Sequence, residues 1–204
     1  KTNIKNYKII SMPPPSSGGI ALSQLLLMYF NTKKKELKHN SAEYIHLLAE
    51  IEKLVYADRS KYLGDSDFYT VPIDRLLNKE YIASRLNRIN LSKTTPSSNI
   101  QPGQLYDTES EETTHFSIVD FEGNAVSVTT TLNTNFGSKV FVDGLGFLLN
   151  NEMDDFSAKP GHPNTYGLIG SEANSIEPGK RMLSSMTPTI IEKNDELFLV
   201  LGSP

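Results

Sequence analysis

Two strand-like runs joined by three turn residues constrain this chain more than any other feature. Thr113-Thr114-His115-Phe116-Ser117-Ile118-Val119-Asp120 leads into Phe121-Glu122-Gly123, and Ala125-Val126-Ser127-Val128-Thr129-Thr130-Thr131-Leu132-Asn133 follows. Phe121-Glu122-Gly123 suits a three-residue hairpin loop in which Gly123 takes the left-handed conformation that a bulge needs. Pairing Asp120 with Asn124 sets odd positions opposite odd and even opposite even. Phe116, Ile118, Val126, Val128 and Leu132 then share one apolar face, with Phe116 and Val128 expected in the core. Thr113, His115, Ser117, Ser127, Thr129, Thr131 and Asn133 share the other. A one-residue slip would mix the two sets, which burial of one face forbids. The register sets Thr113 opposite Thr131 with Asn133 diagonally beside both, so hydroxyls gather at the mouth of the sheet. Taken alone, such a cluster is also ordinary strand composition, because branched side chains suit a pleated surface.

Helical and irregular segments surround the hairpin. Lys8 to Met12 reads as a short strand stopped by Pro13-Pro14-Pro15, which cannot donate to a ladder. Ser16-Ser17-Gly18-Gly19 is placed to cap a helix from Ile20 to Phe30. Lys33-Lys34-Lys35 reads as a solvated loop. Ser41 caps a long helix whose apolar residues Tyr44, Leu47, Leu48, Ile51, Leu54 and Val55 keep the spacing of one buried face. His46 is read as a surface or packing residue, and the neighbours Asp58 and Arg59 as a structural ion pair. Shorter helical pieces are expected over 71–77 and 79–89. From Ser92 to Glu112, turn residues and like charges predict an exposed, poorly ordered linker. Thr187 to Ile191 and Glu196 to Leu201 read as strands joined by a turn at Lys193-Asn194-Asp195.

Composition excludes several classes. The 204 residues allow one sizeable domain with a real core. A net charge of −4 gives no electrostatic case for nucleic acid or an anionic membrane. With no cysteine, thiol catalysis, disulfides and thiolate metal sites are ruled out. No segment approaches the ~18 consecutive apolar residues of a membrane span. Asp154-Asp155 lacks the spacing of a calcium loop, and no metal or cofactor is expected.

Five strings in one order carry a resemblance that spans nearly all of the chain. They are Met12-Pro13-Pro14-Pro15-Ser16-Ser17-Gly18-Gly19, Thr113 to Asp120, Thr131-Leu132-Asn133-Thr134-Asn135-Phe136-Gly137, Leu148 to Phe156, and Lys180-Arg181-Met182-Leu183-Ser184-Ser185-Met186. Together they resemble the gamma-glutamyltransferase family around the junction of its two subunits. The resemblance implies an α+β fold, part of the four-layer αββα sandwich of N-terminal-nucleophile hydrolases. The mix of amphipathic helices followed by hairpin strands is compatible with helices laid on sheets. Residues 1–112 would be the last part of a large subunit and 113–204 the first part of a small one. Both ends read as cut.

The resemblance further implies autocatalytic cleavage at Glu112–Thr113, after which Thr113 is the nucleophile and Thr131 hydrogen-bonds its hydroxyl. Asn133, Glu152 and Asp155 would receive a substrate α-ammonium, Ser184 and Ser185 its α-carboxylate, and Tyr166 would belong to a lid over 159–167. Donors would be glutathione or other gamma-glutamyl compounds, and acceptors water, amino acids or peptides. The setting would be periplasmic or extracellular. Two family features fall outside this sequence: a Gly-Gly oxyanion hole that follows Gly202-Ser203-Pro204, and an upstream arginine that holds the carboxylate. Arg59, Arg75, Arg85 and Arg88 lie in other segments and do not replace that arginine. The chain alone is therefore expected to be inactive. The alternatives are a silent or binding module of the same fold, and an acylase acting on a beta-lactam side chain with the same threonine.

Overall fold

A computed structural model describes residues 1–32, 37–100, 113–163 and 169–203. Its centre is an antiparallel four-stranded sheet of β1 (Thr2–Ile4), β2 (Tyr7–Ser11), β7 (Thr189–Lys193) and β8 (Glu196–Leu201), in the order β1-β2-β7-β8. The inner pair joins distant parts of the chain, with Tyr7 opposite Lys193 and Ser11 opposite Thr189. The β7–β8 turn places Asn194 and Asp195 at positive φ, as a tight hairpin requires. Residues on the two sides of Glu112–Thr113 thus share one sheet.

The described α-helices are α1 (Gly18–Asn31), α2 (Ala42–Tyr62), α3 (Ile73–Leu76) and α4 (Lys79–Leu86), and α1 packs against β1 and β2. The buried face of α2 follows the expected spacing, and Leu47, Ile51 and Val55 pack with Met28 of α1 and Ile82 of α4. Ser41 caps α2 by accepting the Tyr44 N–H at 3.2 Å. The start of α1 differs from expectation. Ser17 makes no side-chain cap, because its hydroxyl turns towards the far end of the chain, and Ser16 Oγ instead accepts the Gly18 N–H. Residues 92–99 are mostly exposed, as expected, but the segment is tied to α2 rather than loose. Glu50 accepts the Thr95 N–H, and Ile100 is buried against Leu54 and Ala57. The rest of that segment, like Lys33-Lys34-Lys35, lies outside the described residues.

The hairpin of β3 (Thr113–Val119) and β4 (Ala125–Thr131) has the expected register, from Thr113 opposite Thr131 to Val119 opposite Ala125. Asp120 donates to Asn124 O, and Gly123 sits at φ +85° in the loop. Burial of the even face is corrected. Phe116 is 44% exposed and Ile118 57%, while Val128 is half-buried. It is the odd face that meets the four-stranded sheet: Ser127 Oγ donates to Leu201 O, and a side chain at Gly202 would strike the His115 ring. Among the described residues no helix covers the even face. A further short pair, β5 (Phe141–Val142) and β6 (Phe147–Leu148), carries the chain back to the hairpin's end. The fold is α+β, with a helical layer, a sheet and a hairpin as the described part of an αββα sandwich. No described helix is long and apolar enough to cross a membrane.

Candidate active site

A cleft of about 370 Å³ opens where the hairpin, the segment leading into β7 and the end of α2 meet. It is lined by Thr113, Thr131, Asn133, Glu152, Asp155, Ser184 and Ser185, which come from four separate segments. Glu112 and Tyr166 lie outside the described residues. Among the described residues no group of three His, Asp or Glu could hold a metal ion.

The end of β4 is tied down first. Asn133 takes a left-handed conformation, φ +77°, tolerated by asparagine. Its N–H is accepted by Thr131 Oγ1 at 2.9 Å, and its Nδ2 donates to Asn151 O at 3.2 Å. Asn151 returns a backbone bond to Leu132 O. This clasp fixes the start of the single 3-10 turn Glu152–Asp155 next to the hairpin, which brings Glu152, Asp154 and Asp155 to the cleft, Glu152 and Asp155 with perturbed carboxyls. Thr113 Oγ1 is buried and has no hydrogen-bond partner among the described residues, so the expected bond from Thr131 is not made. Glu152 Oε2 is likewise buried and unpaired among them.

The two carboxyls are strongly perturbed. Burial, then the Asp155 charge, pushes Glu152 up to about 7. Burial pushes Asp155 up to about 6, while Glu152 and the nearby Arg59 charge pull it back. Two acids in one partly desolvated corner resist ionising together, and they titrate as a pair. Such perturbation is a common mark of a working site.

The opposite wall is the segment Arg181–Thr187, braced from three directions. Asp65, at the end of α2, accepts from Arg181 N and Nε with Oδ2 and from Arg181 Nη2 with Oδ1. This fork holds the Asp65 carboxyl far below its usual range. Asn174 then links the two walls: its Oδ1 accepts the Leu183 N–H, and its Nδ2 donates to Asp155 O at 2.7 Å. Finally, Ser184 pairs in parallel with Ser16. Ser184 donates its N–H to Pro15 O, and its carbonyl accepts from both Ser17 N–H and Ser17 Oγ. A side chain at Gly18 would collide with Thr187 Oγ1 and Met186 O, so glycine permits this close approach.

The Asp58–Arg59 ion pair is corrected. Successive helix positions point about 100° apart, so adjacent side chains do not face each other. Asp58 faces inward to Arg85 at 3.0 Å, Tyr81 OH and Gln24 Nε2. Arg59 turns to the cleft, where Nε donates to Ser17 Oγ at 3.0 Å and Nη2 to Ser185 Oγ at 2.7 Å. Sequence reasoning missed Arg59, Asp65 and Asn174. For Arg59 a signal existed: the buried stripe of α2 runs on from Leu54 and Val55 into Asp58 and Arg59, and charges at core spacing have a purpose. Asn174 carried none.

Comparison with known proteins identifies the family. The family described as gamma-glutamyltranspeptidase matches residues 1–204. A glutathione hydrolase proenzyme of Escherichia coli (strain K12) is 53% identical over 98% of this chain and 34% of its own length. The acylase ACY 1 proenzyme of Pseudomonas sp. (strain SE83) is 35% identical over 98% of this chain and 33% of its own. A crystal structure of cephalosporin acylase from Bacillus halodurans shares the fold, with a TM-score of 0.72 at 24% identity, covering 97% of this chain and 32% of that one. The chain spans about a third of the length of the curated relatives it matches. The chain belongs to the gamma-glutamyltranspeptidase family.

Proposed function

We propose that the protein carrying this chain transfers gamma-glutamyl groups from glutathione or related amides to water, amino acids or peptides, through an ester on Thr113. Residues 1–112 belong to the large subunit and 113–204 to the small one, separated by self-cleavage at Glu112–Thr113. In that step the Thr113 hydroxyl attacks the Glu112 carbonyl carbon, the Glu112–Thr113 C–N bond breaks, and water opens the resulting ester. The freed α-amine titrates near ~8 and serves as the base that a weak hydroxyl nucleophile needs. It takes the hydroxyl proton as Thr113 Oγ1 attacks the donor's γ-carbonyl. It returns a proton to the leaving amine as the C–N bond breaks. Water or an amine acceptor then attacks the ester carbonyl and releases Thr113.

One observation carries this reading: a buried Thr113 hydroxyl, without a partner among the described residues, shares a cleft with the Glu152–Asp155 acids and the Ser184–Ser185 hydroxyls. A glutamyl group presents an ammonium and a carboxylate on one carbon, and burying either charge unpaired costs several kcal/mol. Asn133, Glu152 and Asp155 suit the ammonium, and Ser184 and Ser185 the carboxylate. This polarity favours a gamma-glutamyl donor over the side chain of a beta-lactam. Tyr166 is assigned to a lid and the setting is periplasmic or extracellular, both on family resemblance alone.

N-terminal sequencing and intact mass of the full-length protein, with turnover of gamma-glutamyl-p-nitroanilide, test the proposal. A subunit beginning at Thr113 is expected, and Thr113→Ala should abolish both cleavage and turnover. A Thr113→Ala protein that is still cleaved or still active overturns it.

A further inference from the structure

Arg59 is a buried guanidinium, 7% exposed, and among the described residues no carboxylate lies within ion-pair distance of it. Its recorded hydrogen bonds go to two serine hydroxyls, Ser17 and Ser185. A guanidinium has no acceptor, so both hydroxyls must receive its protons. Each then has one proton of its own to place. Ser17 gives its proton to Ser184 O at 2.8 Å. Ser185 Oγ has no acceptor recorded among the described residues, and the same holds for Ser184 Oγ, whose lone pair is taken by the Met186 N–H at 3.1 Å. Each of these two neighbouring hydroxyls on the cleft thus has one lone pair already taken and its proton still to donate.

We infer that Arg59 is a positioning residue that orients Ser185 as a hydrogen-bond donor and, through Ser17, fixes Ser184 beside it, so that the pair grips the carboxylate of a donor substrate. This rests on the reading of Ser184 and Ser185 as the carboxylate end of the cleft. A hydroxyl without a neighbour rotates freely and presents its lone pairs to an anion as readily as its proton. Locking the rotor removes that unproductive state before substrate arrives, and the positive charge behind it favours an anion. The same charge bears on Asp155 across the cleft, holding the ammonium end more acidic than burial alone would leave it.

Two donors separate this role from a general structural one. Gamma-glutamyl-p-nitroanilide carries the carboxylate. 4-Aminobutanoyl-p-nitroanilide keeps the ammonium and the scissile amide but lacks the carboxylate. In the full-length processed enzyme, Arg59→Met should raise KM for the first donor by ~10-fold or more with little loss of kcat, and leave kcat/KM for the second within ~2-fold. Ser185→Ala should show the same selective loss, and adding Arg59→Met to it should cost little more, as expected of residues acting as one unit. Arg59→Lys keeps the charge but cannot reach both hydroxyls from one planar fork, and should recover part of the preference. It also carries the test if Arg59→Met fails to fold. Equal losses for both donors, or no loss for either, would overturn the inference. A wild-type enzyme that shows no preference for the carboxylate-bearing donor would instead overturn the assignment of Ser184 and Ser185 on which it rests.

Discussion

Binding of an ammonium beside Glu152 and Asp155 should be linked to proton release, and the size of the effect follows from their raised pKa values. In the absence of substrate the pair gives up its protons near about 6 and about 7, the upper step dominated by burial of Glu152. A carboxyl raised in this way is ionised, and able to hold a cation, only above its folded pKa. A group titrating at about 7 is about nine-tenths ionised at pH 8 and about one-tenth at pH 6. The preference for an ammonium-bearing donor should therefore fall ~10-fold between those pH values. On the proposed cleavage, the freed Thr113 α-amine would titrate in the same region, at ~8, so single-donor profiles would mix two causes. The ratio of kcat/KM for gamma-glutamyl-p-nitroanilide to that for glutaryl-p-nitroanilide, which lacks the ammonium, cancels the nucleophile's share. Glu152→Gln leaves a single raised carboxyl, Asp155, in the corner, and the ratio should then fall less steeply than in wild type over the same range. A wild-type ratio that stays flat from pH 8 to pH 6 would show that the two acids do not hold the ammonium.

Three further outcomes are expected. Thr113→Val replaces a buried, unpartnered hydroxyl with a methyl group and should leave stability unchanged or raise it by ~1 kcal/mol in thermal or urea unfolding; a clear loss would mean the hydroxyl has a structural partner. Asp65→Asn breaks the fork to Arg181 and should lower Tm by roughly 5 °C at pH 7. The Asp65 pKa is depressed by folding, so its stabilisation is complete above the unfolded value of about 4 and fades as pH falls below it. Wild type and variant should accordingly converge in acid, and a constant difference down to pH 3 would refute the assignment. The exposed even face of the hairpin should drive self-association of the 204-residue chain, and Ile118→Lys should shift sedimentation towards monomer.

What the sequence revealed, and what it hid, divides by the range of the interaction. The β3–β4 register was legible because polar and apolar residues alternate at period two and Gly123 marks the loop. Helix α2 was legible from its apolar spacing and from Ser41, both local signals. The partner of Arg59 was not. Ser185 lies 126 positions away, and the adjacent Asp58 offered a plausible but geometrically impossible mate. Burial of Phe116 and Ile118 was inferred from their chemistry. Chemistry names a face that prefers burial, but the cover must come from another element, and none described lies there. Residues 92–100 read as a linker because their tie to α2 is a backbone N–H donated to Glu50, which leaves no trace in composition. The cleft-lining positions drew on family resemblance, whereas Asn174, which joins the two walls, has no local pattern of any kind.

The pairing of β2 with β7 has a consequence for the order of events on the ribosome. Tyr7 must wait for Lys193, and Ser16 for Ser184, before either finds its neighbour. At synthesis rates of ~5–20 residues per second, the edge of β2 stays open for roughly 10–40 seconds. During that interval helices α1 to α4 are already made and can pack, since their contacts are local. The sheet closes only when β7 and β8 emerge, and the wall that carries Ser184 and Ser185 closes with it. Chemistry at Thr113 that depends on both walls is held back until synthesis has passed beyond the strands that complete it.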